Sequence, residues 1–154
     1  MERKTDREFM LERIAPCGLH CGRCFAFADG EVRRAAGDLK RSLGNFGSYA
    51  ARFVTVLQEP RFARYPDFHE FLTLLTETSC RGCRKEACKL FKSCNVRRCS
   101  AEHGVEFCYQ CERFPCADTG LDENLYRRHV DINRRIREIG LESYYEEVRD
   151  KPRY

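Results

Sequence analysis

Cysteine spacing constrains this chain more than any other feature. Eight of the eleven cysteines fall between Cys80 and Cys116, among Arg, Lys and Glu side chains with little to fill a core. A segment this polar takes a fixed shape from cross-links. The stretch holds two C-x2-C pairs, Cys80/Cys83 and Cys108/Cys111, and two C-x4-C pairs, Cys94/Cys99 and Cys111/Cys116. A third C-x2-C pair, Cys21/Cys24, follows Cys17 near the N-terminus. Two intervening residues let both sulfurs converge on one ion from a tight turn, and zinc takes four such ligands at about 2.3 Å. Gly18 and Gly22 favour a turn whose amides can point at the sulfurs.

The nature of the cross-link follows from compartment. No apolar run approaches the roughly 18–20 residues that span a bilayer. The opening MERKTDREFMLERIAP is charged throughout and lacks the apolar stretch of a secretory signal. These features predict a cytoplasmic chain, whose thiols stay reduced and bind metal rather than pair. An odd count of eleven also argues against a fully paired framework. At 42% hydrophobic and 34% charged residues, the chain reads as globular rather than disordered. The formal charge of +4 is no strong argument for nucleic acid, because eight thiolates and two zinc ions would bring it to zero.

Outside the cysteines, helical periodicity dominates, and no strand pattern or repeat is evident. Residues 1–15 read as a short helix or lead-in. Asp29 is the expected cap of a helix carrying Val32, Ala35, Ala36, Leu39 and Leu43 on one face, ended by Gly44. A second helix from Asn45 places Phe46, Tyr49, Ala50, Phe53, Val54 and Leu57 at the same period. A third starts at Pro66, with Phe68, Phe71, Leu72 and Leu75 as its stripe and His69 off it. These stripes are expected to be core. Helical turns are expected at 86–92 and 96–102, with Gly104 ending the second. Asp122 caps a long final helix with Leu125, His129, Ile132, Ile136 and Ile139 on one face, stopped by Gly140 and followed by a short helix at 141–150. The expected fold is mainly α: a single domain over 1–154, with a helical bundle at about 29–78 and 122–150 and an irregular metal-binding part at 17–24 and 80–116.

Spacing leaves the division of ligands open. The shortest loop closures group Cys80, Cys83, Cys94 and Cys99, leaving Cys108, Cys111 and Cys116 to take a fourth ligand from Cys17, Cys21 or Cys24. A third site is an alternative. Cys88 fits no pair and reads as a free thiol. The order Cys17-Gly18-Leu19-x-Cys21-x2-Cys24, Cys80-x-Gly82-Cys83, Cys94-x-Val96-Arg97-x-Cys99 and Gly104-x3-Cys108-x2-Cys111-x2-Phe114-Pro115-Cys116 resembles the DUF3795 family of small cysteine-rich proteins with no established function. The resemblance implies metal binding by these cysteines and implies no reaction. Ser100, His103 and Cys88 depart from the usual family pattern without breaking a candidate ligand. His103 reads as an exposed residue at a helix end.

The expected role is therefore a zinc-stabilised binding or adaptor module with two or more ions, a binding role being slightly favoured over catalysis. Its partner is unspecified, and the arginine face of the final helix (Arg127, Arg128, Arg134, Arg135 and Arg137) is either a docking surface or a solvated face paired by Glu138 and Glu142. One alternative is an iron–sulfur redox protein with a [4Fe–4S] cluster, since thiolate quartets serve clusters and zinc alike. The spacing Cys17-x3-Cys21-x2-Cys24 matches that of radical-SAM enzymes, but Arg23 replaces the usual aromatic residue, and no strand–helix alternation exists to build a barrel. The other alternative is nucleic-acid binding through Arg97, Arg98 and the final helix, without any recognisable groove-reading pattern.

Overall fold

The computed structural model describes residues 6–154; of the expected lead-in helix, residues 1–5 lie outside the described residues. Six α-helices are described: α1 Asp6–Arg13, α2 Glu31–Leu43, α3 Gly47–Val56, α4 Tyr65–Thr76, α5 Val96–Glu102 and α6 Glu123–Val148. Short 3-10 turns lie at Cys21–Arg23, Pro60–Arg64 and Cys108–Gln110. Among the described residues extended pairing is confined to two isolated bridges, Ile14 with His20 and Phe27 with Cys80. Among the described residues no helix is long and apolar enough to cross a membrane.

The hydrocarbon core lies where α1 meets α6. Met10 and Ile14 pack with Phe107, Ile136, Leu141 and Tyr144, and Ile14, Phe107 and Ile136 are at most 1% exposed. Burial of each such side chain contributes about 1.5–3 kcal/mol. The Asp122 carboxylate accepts from the amides of Asn124 and Leu125 at 2.9 and 3.0 Å, as expected of an N-cap. Gly140, at φ 84°, interrupts α6, so the long helix stops where expected and a short one resumes. Beyond that break, Leu141 and Tyr144 turn back onto the core.

A second buried cluster is made largely by the N-terminal cysteine loop: Cys17, Leu19, Cys21, Cys24, Ala26 and Phe27, with Val96 from α5. Backbone bonds draw the other cysteine segments onto this loop. Cys80 donates to Ala26 O at 3.0 Å and its carbonyl accepts from Ala28 at 2.8 Å, while the Cys108 amide reaches Pro16 O at 3.3 Å.

The helices α2, α3 and α4 depart from expectation. Each buries a single residue, Ala36, Ala50 and Leu72 respectively. Their remaining stripe positions are partly or largely exposed: Leu57 is 56% and Phe71 61% exposed. Periodicity marks a face, but these three helices offer one another too little surface to cover it. Two smaller corrections are local. Gly30, not Asp29, is the cap of α2. Residues 86–92 form turns and bends rather than helix, whereas α5 occupies the expected 96–102.

A seven-thiol pocket and a four-cysteine group

All eleven cysteines are free of disulfides. The C-x2-C pairs share a local device. The 3-10 turns at Cys21–Arg23 and Cys108–Gln110 each close with an amide of the second cysteine bonded to the carbonyl of the first, at 2.9 and 3.0 Å. At Cys80/Cys83, the Gly82 amide points at the Cys80 sulfur at 3.4 Å. The Phe91 amide does the same for Cys88 at 3.3 Å. Amide donors of this kind favour the thiolate.

Tertiary contacts gather seven of the sulfurs. Cys17, Cys21 and Cys24 from the N-terminal loop and Cys80, Cys83, Cys88 and Cys94 from the second segment line one cavity of about 40 Å³, closed by Leu19, Leu90, Phe91 and Leu121. That volume holds little more than a single water and is far below the roughly 300–1,000 Å³ of an organic-ligand site. The remaining four, Cys99, Cys108, Cys111 and Cys116, are electrostatic neighbours, and Cys108 also feels Cys17 of the larger pocket, ahead of the other three. The shortest-loop grouping puts Cys94 and Cys99 together; here Cys94 lines the cavity with the N-terminal trio and Cys99 does not. α5 begins between Cys94 and Cys99 and carries Cys99. Cys88, unpaired by spacing, is part of the larger pocket. As the side chains stand, no three His, Cys, Asp or Glu among the described residues form a group that could hold a metal ion. The donor chemistry of both groups nonetheless suits a soft, thiophilic ion.

Burial and sulfur–sulfur contacts divide the thiols electrostatically. The neighbouring Cys83 thiol, against the opposing effect of burial, lowers the Cys21 thiol to about 6 and the Cys88 thiol to about 5. The same contacts push Cys83 up, with burial adding to them. Burial raises Cys17 and Cys108 to about 12. Cys80, Cys94 and Cys99 are also raised, chiefly by desolvation.

His103 caps α5 and is exposed, as expected, yet its Nδ1 lies 3.7 Å from the Cys99 sulfur and 2.9 Å from the Cys99 carbonyl. Two polar residues unmarked as site residues by the sequence hold the frame. His129 and Asn133 are both 0% exposed. The Asn133 Oδ1 accepts from the Tyr109 amide at 3.0 Å, fixing the Cys108–Cys111 turn onto α6. His129 Nδ1 lies 3.2 Å from the Cys17 carbonyl. Desolvation holds His129 below its usual range. The signal was present: an Asn four residues after His129, one position past Ile132, places an amide beside the buried stripe. Of the arginine face, Arg135 is paired with Glu138 and Glu147, while Glu142 turns instead to Arg7 at 3.7 Å.

No curated protein and no solved structure matches this chain. A family model described as a protein of unknown function matches residues 13–120, a span that takes in all eleven cysteines. The chain belongs to that family, DUF3795.

Proposed function

We propose that the protein is a thiolate metal-binding protein, with zinc in two or more positions divided between the seven-thiol pocket and the four-cysteine group, and that the metal stabilises a binding or adaptor module. One observation carries this reading: seven free thiols from two segments more than fifty residues apart converge on a cavity too small for an organic substrate. Four thiolates satisfy one zinc ion, and the surplus in the larger pocket allows shared sulfurs and a second ion. Metal would draw the sulfurs inward, contributing on the order of 10 kcal/mol or more per structural site. The binding role is supported by the exposed apolar side chains of α3, its C-cap and α4, among them Val56, Leu57, Phe71 and Leu74. A cytoplasmic setting, where thiols stay reduced, belongs to the same proposal.

Elemental analysis and an absorption spectrum of protein purified under reducing conditions test it. The expected result is a colourless protein with two or more zinc ions per chain. Cys83→Ser and Cys111→Ser, one in each cysteine group, should each lose metal and become protease-sensitive. Reduced protein that carries no metal and takes up none would overturn the reading. A brown protein absorbing near 400 nm would replace zinc with a [4Fe–4S] cluster, for which the apolar walls of the larger pocket are also suited.

A further inference from the structure

We propose that Arg153, carried across the N-terminal cysteine loop by the segment that follows α6, is the counter-cation of the metal centre in the seven-thiol pocket, and that Tyr154 closes this centre at Cys24. The inference rests on the metal-binding reading above. Both residues lie outside the region that the family model matches.

The segment is tied down at several points. The Arg149 carbonyl accepts from Arg23 Nε at 2.6 Å, and Arg23 also faces Asp150 at 3.8 Å. Arg153 Nη1 donates to the His20 carbonyl at 3.1 Å, and the Arg153 carbonyl accepts from Arg128 Nη2 at 3.3 Å. The Tyr154 hydroxyl accepts from the Phe25 amide at 3.4 Å and donates to the Cys24 sulfur at 3.6 Å. Every contact on the cysteine side falls within residues 20–25, so the segment lies across the turn that carries Cys21 and Cys24.

Charge gives this arrangement its purpose. A zinc ion with four thiolates carries a net charge of −2, and such a centre in an apolar pocket needs a nearby cation. Arg153 is the basic residue among those lining the pocket, and Cys24, Cys21 and Cys17 are its electrostatic partners. Arg84 also acts on Cys21 and Cys17, but it lines a different groove, with its Nε on the Ile14 carbonyl and its guanidinium stacked on Phe107. Arg97 and Arg98 line an adjoining cavity with Cys17, Cys83, Cys88 and Cys94, whereas Arg153 stands at the wall that also carries Cys21 and Cys24, with Tyr154 at the Cys24 sulfur.

The test uses full-length reduced protein loaded with zinc ions, a chromogenic chelator, and iodoacetamide labelling mapped by peptide mass spectrometry. Arg153→Gln should speed zinc loss and labelling at Cys17, Cys21 and Cys24 by about tenfold, the factor corresponding to about 1.4 kcal/mol. The labelling of Cys99, Cys108, Cys111 and Cys116 should not change, and Arg153→Lys should restore most of the protection. Equal acceleration of both groups, or none, overturns the proposal. Should the parent protein bind no zinc, the metal-binding reading fails and the counter-cation falls with it. The strap is then judged separately: faster labelling of Cys24 alone in Tyr154→Ala keeps it, and unchanged labelling removes it.

Discussion

Replacing Asn133 with Ala probes the joint between the long helix and the C-terminal cysteine turn. The side chain is fully buried, accepts from the Tyr109 amide at 3.0 Å and donates to the His129 carbonyl at 3.1 Å. Truncation strands the Tyr109 amide away from water, which costs about 1–3 kcal/mol. The vacated space of roughly 40 Å³ adds about 1 kcal/mol at about 24 cal/mol per Å³. A total of about 2–4 kcal/mol in a chain of this length lowers the melting temperature by about 5–15 °C. Circular dichroism at 222 nm during a thermal scan reads this directly. Arg134→Ala, exposed on the next position of the same helix, is the control and should stay within about 0.5 kcal/mol of the parent. Asn133→Ala melting within about 2 °C of that control would refute the assigned role of the amide.

Four further outcomes are expected. Ile136→Ala, at a site 1% exposed, should cost about 2–5 kcal/mol by chemical denaturation, whereas Phe71→Ala, 61% exposed, should cost well under half of that despite its place on an apolar stripe. Gly120→Ala should destabilise strongly and loosen the Cys94 segment, because its φ is +66° and a Cβ there would stand 1.8 Å from the Ser93 carbonyl oxygen; limited proteolysis near Ser93 would show it. Asp122→Ala should cost about 0.5–2 kcal/mol through loss of the cap of α6, seen as a lowered denaturation midpoint. Burial raises the Tyr144 phenol from 10.0 to about 12, so the unfolded chain ionises first and stability falls as pH rises from about 10 to about 12. Tyr144→Phe should remove that part of the alkaline slope when its unfolding curve is compared with that of the parent.

The helix ends were legible wherever one residue dictates backbone geometry. Gly44, Asp122 and Gly140 act locally, and their effects needed no tertiary knowledge. The exposure of α2–α4 was not legible, because a stripe tells which face is apolar and not whether a neighbour covers it. The cysteines divide the same way. That Cys21/Cys24 and Cys108/Cys111 work as pairs follows from one 3-10 turn each. That Cys94 and Cys99 part company, and that Cys88 has companions, depends on segments brought together across the chain. His129 was placed on the buried stripe without a role, and Asn133 escaped notice, because burial rather than residue type gives them their importance.

The paired hydrogen bonds between Cys80 and residues 26–28 have an architectural consequence. They staple the chain at both ends of residues 29–79, so α2, α3 and α4 form an excursion that leaves the cysteine region and returns to the same point. Closure entropy grows only slowly with the length of such an excursion. This part of the molecule is therefore free to lengthen, shorten or change its surface while the sulfur-bearing base keeps its geometry.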